Sequence, residues 1–542
     1  MTKLGTKRIV LIVLAVVIAM GGVIWAIVAN LKPTFNSGIK AVPDAYTVSG
    51  NGSAAVMVDN YLYFVGGYVP TSSIKYGDND YYADGKIPDA AIYRVAIKDD
   101  QPDLHYEFDN TYTKDDETLE YEPDDPQYNS MANLTKIADW EDVTAKSSNI
   151  DVVVPKIAGH DQTAMWVFGN NLIYTTPHNL LNGTGVLLSN RLDFYCVNLD
   201  GKNHRLIYTS AANVTTADFT LWANNTNNIY ILINESGTLK KIKVSDKKVT
   251  TIAEDITAVA FPQATQYRTK VNNERLSDIY GGVMSYVYYT TARDADAQTG
   301  SGNGNLMYRY QINASNDPQL IGDQTTDSSG TTFTPMAVTT LGAGNAQFVF
   351  STKETNAGVE AVATEFHIVT NDMALNDKTD FAKLPGKTLG VAGDTVKIYA
   401  NGFWTRGKEL RRYDVVQENG YYVIDQSLAS DKASLLRDDV DNVFSVMGDT
   451  VYVRSSTAVS VLTFPAGSTK STGVNIPLTT TTDSMTGTET TEVLLPLSGL
   501  YQSYANGGAA GNNLVFICDS TGIKLYSAAT KDQYAYLRMK KS

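Results

Sequence analysis

The sequence predicts an all-β fold, a seven- or eight-bladed β-propeller preceded by a single N-terminal transmembrane helix. Two observations support this prediction. A unit of two strands joined by a tight turn, as in LDFYCVNLDGKNHRLIYTS at residues 192–210, recurs along most of the 542-residue chain. One uncharged apolar segment precedes the first unit. With 43% hydrophobic and 19% charged residues, the chain has the composition of a protein that buries a core.

Each repeat contains a strand with an aromatic residue near its centre and a Gly, Asn or Asp turn just before it. The eight aromatic positions are Tyr63, Tyr174, Tyr230, Tyr288, Phe348, Tyr399, Tyr452 and Phe516. After a first gap of 111 residues, the spacings lie between 51 and 64 residues. Units of about 40–60 residues with three or four alternating strands are typical of propeller blades, which bury both sheet faces by stacking in a ring. A pair of smaller β domains or an array of β-sandwiches are the alternatives.

The repeats also predict how the chain is divided. We expect the final strand, QYAYLRM, to complete a blade with the early strand around YTVSGNGSAAV and so to close the ring. The predicted parts are a cytoplasmic N-terminus (1–8), a transmembrane anchor (9–29), a linker (30–45) and an extracytoplasmic propeller (46–542). Residues 105–160 are an acidic insertion or a degenerate blade, because residues 105–128 carry nine acids.

The apolar segment, IVLIVLAVVIAMGGVIWAIVA at residues 9–29, has the length of a membrane span. Lys3, Lys7 and Arg8 precede it, which predicts a cytoplasmic N-terminus and a single-pass protein of the cell membrane. The alternative is a cleaved signal peptide, whose apolar region is about 7–15 residues long. The net charge of −14 disfavours nucleic acid as a partner.

One hairpin carries a family resemblance. NLIYTTP followed by LDFYCVNLDGKNHRLIYTS resembles the blade pattern of bacterial membrane-anchored proteins with a YWTD-like or TolB-like β-propeller region of unknown function. In that pattern a strand bearing tyrosine precedes an IYRxxLDG hairpin. The resemblance extends over most of residues 46–540 and implies the propeller fold more than any activity.

The sequence contains none of the common catalytic motifs. The G-x-S-x-G, H-E-x-x-H, C-x-x-C and P-loop patterns are all absent. The five histidines are scattered, and His160 beside Asp161 is more simply a histidine satisfied in a loop. Cys196 and Cys518 each lie in an apolar strand and are expected to be buried thiols. We therefore predict a protein without enzymatic activity, with an extracellular glycan hydrolase or lyase as an alternative.

Two acidic turns are candidate calcium sites. GDNDYYADG offers Asp78, Asp80 and Asp84, and RDDVDN offers Asp438, Asp439 and Asp441. Neither follows the ligand order of an EF-hand, because in the first stretch a tyrosine takes the fifth position and the glycine falls late. Acidic turns of this kind are commonly solvated loops. No cofactor is therefore expected, with calcium as the alternative.

Aromatic loops are candidate ligand sites. NGFWTRGKELRRY places Trp404 beside Arg406, and GLYQSYANGG offers Tyr501 and Tyr504. A saccharide site needs an exposed aromatic plane flanked by hydrogen-bonding groups, whereas the alternative is that Trp404 packs between blades. The predicted function is a non-enzymatic protein-binding scaffold or surface protein with a partner in the membrane or envelope. A carbohydrate- or cell-wall-binding module, with a glycan as ligand, is the alternative.

Overall fold

The computed structural model describes most of the central part of the chain and isolated strands outside it. Apart from residues 216, 226, 227, 327, 328, 448 and 466, the described ranges are 164–178, 191–262, 282–293, 304–341, 345–356, 364–371, 379–389, 395–425 and 434–477. Secondary structure in this part is all β, with three 3₁₀ turns at Gly282–Ser285, Phe381–Lys383 and Ala400–Gly402. No described helix has the length and apolar character of a membrane span, and the predicted anchor at 9–29 lies outside the described residues.

The strands follow one another closely along the chain. The first are β1 (Val48–Ser53), β2 (Ala55–Val58), β3 (Tyr61–Gly66), β4 (Ile74–Tyr76), β5 (Asn79–Tyr81), β6 (Ala90–Ala96), β7 (Leu104–Asp109), β8 (Thr111–Lys114), β9 (Glu117–Glu120), β10 (Ile150–Ile157), β11 (Met165–Phe168), β12 (Asn171–Pro177), β13 (Leu192–Asn198) and β14 (Arg205–Thr209). Next are β15 (Phe219–Asn225), β16 (Asn228–Glu235), β17 (Thr238–Lys243), β18 (Val249–Ala253), β19 (Ile256–Ala260), β20 (Tyr286–Ala292), β21 (Asn305–Gln311), β22 (Gln319–Gly322), β23 (Thr325–Thr326), β24 (Ser329–Leu341), β25 (Asn345–Asn356), β26 (Val359–Glu360), β27 (Glu365–Thr370) and β28 (Lys387–Thr388). The last are β29 (Val396–Ile398), β30 (Phe403–Arg406), β31 (Glu409–Arg412), β32 (Val415–Glu418), β33 (Tyr421–Ile424), β34 (Leu435–Arg437), β35 (Asn442–Met447), β36 (Thr450–Arg454), β37 (Ala458–Thr463), β38 (Thr472–Pro477), β39 (Thr480–Thr482), β40 (Glu489–Thr491), β41 (Gly499–Gln502), β42 (Asn513–Asp519), β43 (Gly522–Ser527) and β44 (Gln533–Lys540).

These strands form eight sheets of four or more strands in the described part of the chain. Each is built on four antiparallel strands that are consecutive or nearly consecutive in sequence, and three of the sheets have further strands at their edges. They are sheet 1 (β2, β3, β6, β10), sheet 2 (β11–β14, with β1 beside β11), sheet 3 (β15–β18), sheet 4 (β19–β22), sheet 5 (β24, β25, β27, β28, with β23 and β26 at its margins), sheet 6 (β29, β30, β31, β34), sheet 7 (β35–β38) and sheet 8 (β41–β44, with β7 beside β44). The predicted all-β repeat, in units of three or four strands, is therefore confirmed, and the units have at least four strands.

The repeated aromatic residue lies on the second strand of the four in seven sheets. In sheet 6 it does not, because β30 begins at Phe403 and carries Trp404 at its centre. Tyr399 comes before this strand, where its backbone N–H donates to the Phe403 carbonyl at 2.8 Å and closes a tight turn. Asn401 has a φ of 54° in this turn. In sheet 6, the sequence pattern therefore misassigned the first strand, β29, and the turn after it as the second strand.

The outer strands of sheets 2, 3 and 4 share one irregularity. Each pairs with the third strand through a one-residue bulge, at Ile207, Ile252 and Ile321. All three isoleucines are buried. A bulge increases the local twist and makes an exposed strand edge a poorer template for unintended pairing. The three sheets are therefore structurally equivalent down to a single inserted residue.

Neighbouring sheets pack face to face through apolar side chains. One continuous core cluster runs from sheet 2 through sheets 3 and 4 into sheet 5. Between sheets 4 and 5, the rings of Tyr288 and Phe348 stack with centroids 3.6 Å apart. Two further clusters join sheet 5 to sheet 6 and sheet 6 to sheet 7. Strand β41 of sheet 8 lies against both β35 of sheet 7 and β2 of sheet 1.

The ends of the chain pair differently from the prediction. The final strand β44 pairs in parallel with β7, whereas β1, the early strand expected to be its partner, pairs antiparallel with β11. The expected pairing of β44 with β1 is therefore wrong, because β1 completes the edge of sheet 2 instead. The chain leaves sheet 1 after β6 and returns with β10, so residues 105–160 supply strands to sheets 1 and 8.

The hydrogen bond between sheets 3 and 4 should contribute measurably to stability. The Trp222 indole Nε1 donates to the Met284 carbonyl at 2.8 Å, and the ring is buried. Trp222→Phe removes this donor and leaves a buried carbonyl unpaired, so we expect a loss of about 1–3 kcal/mol in the free energy of unfolding. Urea denaturation monitored by circular dichroism measures it. Trp166→Phe is the matched control, because the described contacts of that ring are packing on Phe219. Equal losses in both variants would contradict the role of the hydrogen bond.

Candidate functional site

Glu235 joins sheet 2 to sheet 3 and is almost fully buried. Its carboxylate accepts hydrogen bonds from the Tyr208 hydroxyl at 2.9 Å and from the Ala211 backbone N–H at 2.7 Å. Lys240 supplies the countercharge. The pKa of Lys240 is raised, because hydrogen bonds and charge from Glu235 and Tyr208 outweigh the opposing effect of burial. This carboxylate is thus fully engaged in holding two sheets together.

Lys241 joins sheet 3 to sheet 4, and among the described residues its partners include no acidic side chain. Its ammonium group donates to the Tyr310 hydroxyl and the Ile312 carbonyl, both at 2.8 Å, and to the Ala314 carbonyl at 3.1 Å. The rings of Tyr230 and Tyr310 lie 5.4 and 4.9 Å from it. Burial, helped by the charge of Lys248, lowers the pKa of Lys241 to about 8. All three protons of the ammonium group therefore have acceptors, either in β21 of sheet 4 or in the residues that directly follow this strand.

Two further polar groups have structural roles in sheets 5, 6 and 7. The buried His367 ring contacts the Thr352 hydroxyl at 2.8 Å and the Leu384 carbonyl at 3.1 Å, and it stacks on Phe350. Burial lowers its pKa to about 4. Arg412 of sheet 6 pairs with Asp449 at the β35–β36 turn of sheet 7, at 2.6 Å. These residues connect structural elements and do not converge on one cleft.

The acidic residues predicted to bind calcium are engaged elsewhere where the structure describes them. Asp439 pairs with Arg437, whose hydrogen bonds and charge lower the pKa of that carboxyl group. Asp441 pairs with Lys408 at 2.7 Å, and Asp438 is exposed. Among the residues described, no three carboxylate, histidine or cysteine side chains are close enough to hold a metal ion. Asp80 lies in β5, where side chains are not described, and Asp78 and Asp84 lie outside the described residues.

Trp404 occupies the core and not the surface. Its side chain is 0% exposed and belongs to the cluster that joins sheets 5 and 6. It therefore has no exposed ring face. This is the arrangement expected if Trp404 packs between sheets, and not the one needed for stacking on a sugar. Arg406 pairs with Glu409 at 2.8 Å. Tyr501 lies in β41, where side chains are not described, and Tyr504 lies outside the described residues.

Cys196 is a buried thiol in β13. Its side chain is 0% exposed, and burial raises its pKa to about 11. A thiol with a raised pKa is a poor nucleophile, because the thiolate is the reactive form. Cys518 lies in β42, where side chains are not described.

A partly exposed aromatic cluster does occur on sheet 2, at residues that sequence reasoning did not select. The rings of Tyr174, Tyr195 and His204, which we name the aromatic platform, lie within 6 Å of one another and within 12° of parallel. The Tyr174 hydroxyl contacts His204 Nε2 at 2.6 Å. Tyr174 is buried, Tyr195 is half-buried and His204 reaches solvent. Of the three rings, His204 is thus the one at the surface, and Tyr174 is held in the core.

Strand register and turn geometry together build the aromatic platform. Tyr174 of β12 and Tyr195 of β13 are direct cross-strand partners, so both side chains project from the same face of the sheet. The turn after β13 contains Gly201 with a φ of 78° and Asn203 with a φ of 56°. This turn brings His204 back over Tyr195. The usable sequence signal was two tyrosines in register on adjacent strands and a histidine just after the connecting turn.

The electrostatics of the platform keep its groups neutral at physiological pH. Burial, together with Tyr195 and Asp193, raises the pKa of Tyr174 well above its ordinary value. Partial desolvation lowers the pKa of His204. A neutral imidazole has one donor and one acceptor nitrogen. Lys202, which pairs with Asp200 at 2.9 Å, provides a charged group on the same turn.

Comparisons with known proteins give no family assignment. Neither the protein-family models nor the curated proteins contain a match to this sequence. Three solved structures illustrate the similarities found. They are a functionally unknown protein from Desulfotomaculum acetoxidans (11% identity, TM-score 0.30, 65% of this chain and 96% of that chain), the acylaminoacyl peptidase of Pyrococcus horikoshii (9%, 0.30, 69% and 51%) and the C-terminal WD40 domain of Sif2 (9%, 0.31, 69% and 84%). The chain thus spans about half of the peptidase. Similarities this low carry no inference about activity.

His367 should make stability depend on acidity. The unfolded chain binds a proton on this histidine near pH 6.5, whereas the folded protein binds it only near pH 4. The unfolded state therefore holds more protons in this window, and the free energy of unfolding should fall as the pH drops from 6.5 towards 4. Urea denaturation at pH 7 and pH 4.5 should show a larger loss for the wild type than for His367→Gln, which keeps a polar side chain but does not titrate. Equal losses would show that folding does not depress this pKa.

Lys241 should have an effect in the alkaline range. Between its folded pKa of about 8 and the unfolded value near 10.5, the unfolded chain holds more protons. The free energy of unfolding should therefore rise from pH 7.5 to pH 9.5. In Lys241→Met this rise should be lost, as measured by urea denaturation across the range. Lys240→Met is the matched control and should retain the rise, because the pKa of Lys240 is shifted in the opposite direction. The same pH dependence in the wild type and Lys241→Met would contradict the assignment.

Proposed function

We propose that the protein is a membrane-tethered β-propeller of eight blades that acts as a non-enzymatic protein-binding scaffold at the cell surface or envelope. The unbroken series of links between successive sheets is the observation that carries the proposal. Apolar clusters join sheets 2 to 7, β41 of sheet 8 lies against strands of sheets 7 and 1, and β2 of sheet 1 lies against β1 and β11 of sheet 2. A series of sheets whose last member contacts its first is the arrangement of a propeller ring.

Polar links make this ring rigid and specific. Glu235 connects sheets 2 and 3, Lys241 connects sheets 3 and 4, and Arg412 connects sheets 6 and 7. Buried polar groups require particular partners, so they favour one relative placement of the sheets over slipped alternatives. A body whose sheets are connected by such charged groups suits a scaffold whose outer turns contact a partner.

The hairpin turns at one end of the sheets are the surface we assign to this partner. In a four-stranded antiparallel unit, the turn between strands three and four emerges at the end opposite the connection to the next sheet. In sheet 3 this turn is exposed throughout residues 245–248, and Lys247 and Lys248 give it positive charge in an acidic chain. Turns at this end vary in sequence without changing the connections between sheets.

The tether follows from the apolar segment at residues 9–29. We propose that it anchors the chain in the cell membrane as a single span, with residues 1–8 in the cytoplasm and the propeller outside. The charge preceding the segment supports this orientation. A partner of the scaffold would then be a membrane or envelope protein that reaches the exposed turns.

Photo-crosslinking in native membranes tests the scaffold. A photoreactive residue replaces Lys248, just before β18, or Glu254, just after it, so the two probes sit at opposite ends of one exposed strand. We expect one membrane or envelope protein to be captured in near-stoichiometric yield from position 248 and little from position 254. Mass spectrometry of the crosslinked product identifies it.

Two outcomes would contradict the scaffold. The first is the same diffuse background at both positions, which would show that the turn surface has no dedicated partner. The second is turnover of a cell-wall or glycan substrate by the purified full-length chain, with loss of activity on mutation of an acidic pair. That result would establish the hydrolase or lyase alternative.

A further inference from the structure

We propose that the aromatic platform of Tyr174, Tyr195 and His204 is a saccharide-binding site that takes the apolar face of a pyranose ring. The site is independent of the protein-binding scaffold, because it rests on side chains of sheet 2 alone. Its ligand class follows from its chemistry: an exposed imidazole ring, stacked on a half-buried tyrosine, beside a polar turn. Sugar rings present C–H groups on one face and hydroxyls around the edge, and both features find complements here.

The geometry of the platform suits stacking. The Tyr195 ring stacks on both Tyr174 and His204, with centroid distances of 5.3 and 5.0 Å. The contact of the Tyr174 hydroxyl with His204 Nε2 holds these two rings in one layer, 7° from parallel. His204, at the end of the turn after β13, is thereby fixed in orientation before a ligand arrives. A pre-organised ring loses little entropy on binding.

The turn around the platform supplies hydrogen-bonding groups. Lys202 and Asn203 are exposed, and the Arg205 guanidinium donates to the Asn203 carbonyl at 3.2 Å. When the Tyr174 hydroxyl donates to Nε2 of the neutral His204 ring, the imidazole proton lies on Nδ1, where it is a donor for a sugar hydroxyl. Stacking then supplies the contact area, and these groups select the hydroxyl pattern.

Sheet 4 contains the same tyrosine pair without the histidine and shows what folding alone requires. Tyr289 and Tyr308 are cross-strand partners that stack at 5.4 Å and 14°, close to the values for Tyr174 and Tyr195. The outer strands pair equivalently, since Leu206 faces Tyr195 and Leu320 faces Tyr308. Two rings are therefore sufficient for the sheet. The third ring, His204, has no counterpart in sheet 4, whose sequence contains no histidine.

Isothermal titration of the full-length chain in detergent tests the site. The probes are the β1→4-linked hexamers of N-acetylglucosamine and of glucose, with adenosine as an aromatic competitor that lacks an extended glycan. We expect at least one hexamer to bind and His204→Ala to weaken that binding by about tenfold, which is the equivalent of one lost ring contact and hydrogen bond. His204→Phe should recover part of the affinity, because it restores the ring. His204 is exposed on a turn, so these variants should fold as the wild type does.

Tyr195→Ala and Tyr308→Ala form the matched pair. Both remove a half-buried tyrosine from the same register position of equivalent sheets, and only Tyr195→Ala should reduce hexamer binding. The proposal is overturned if neither hexamer binds the wild type, or if His204→Ala binds as tightly as the wild type. Equal weakening in Tyr308→Ala would also overturn it, by showing a general effect on folding. Binding of adenosine alone would make the platform a site for planar aromatic ligands and not for sugars.

Discussion

Every four-stranded sheet in this molecule has two faces, and both must be covered by its neighbours. Alternate residues of β25 show this constraint directly. Phe348 belongs to the core cluster shared with sheet 4, whereas Val349, the next residue, belongs to the cluster shared with sheet 6. Side chains of a strand point alternately to opposite faces, so each sheet is complete only when it has a neighbour on both sides. The series of sheets, and the proposal that it closes, follow from this requirement.

The same constraint explains the unusual polar groups between sheets. A polar side chain on a covered face loses contact with water and must find partners across the interface. Glu235 finds a lysine, a tyrosine and a backbone N–H, while Lys241 finds carbonyls and a hydroxyl. Burial lowers the pKa of Lys241 despite these partners. His367 is kept neutral by burial. Each set of partners can form in one relative position of the two sheets. The buried polar groups therefore determine how the sheets are placed as well as how stable they are.

Local pattern was sufficient to predict the repeat but not its exceptions. The pattern consists of turn residues followed by a strand of alternating apolar and polar residues with a central aromatic residue. It placed Tyr174, Tyr288 and Phe348 on the correct strands, because those signals depend only on neighbours in sequence. Tyr399 was misassigned, since a tight turn after a short strand has the same local pattern. Pairing of β44 with β7 joins residues more than 400 positions apart, and no local signal specifies it. Burial of Trp404 likewise depends on a neighbouring sheet that the pattern does not specify.

The aromatic platform shows where such a fold has freedom to acquire binding. Positions on covered faces are fixed by packing, as the equivalent tyrosine pairs and bulged isoleucines of sheets 2 and 4 demonstrate. Hairpin turns carry no such restriction, because they connect two strands within one sheet and contact water. His204 comes from a turn, yet it stacks on Tyr195, a member of the tyrosine pair that sheets 2 and 4 share. On our proposal, a single turn residue placed over a tyrosine pair is enough to add a binding surface to a structural element without changing the core.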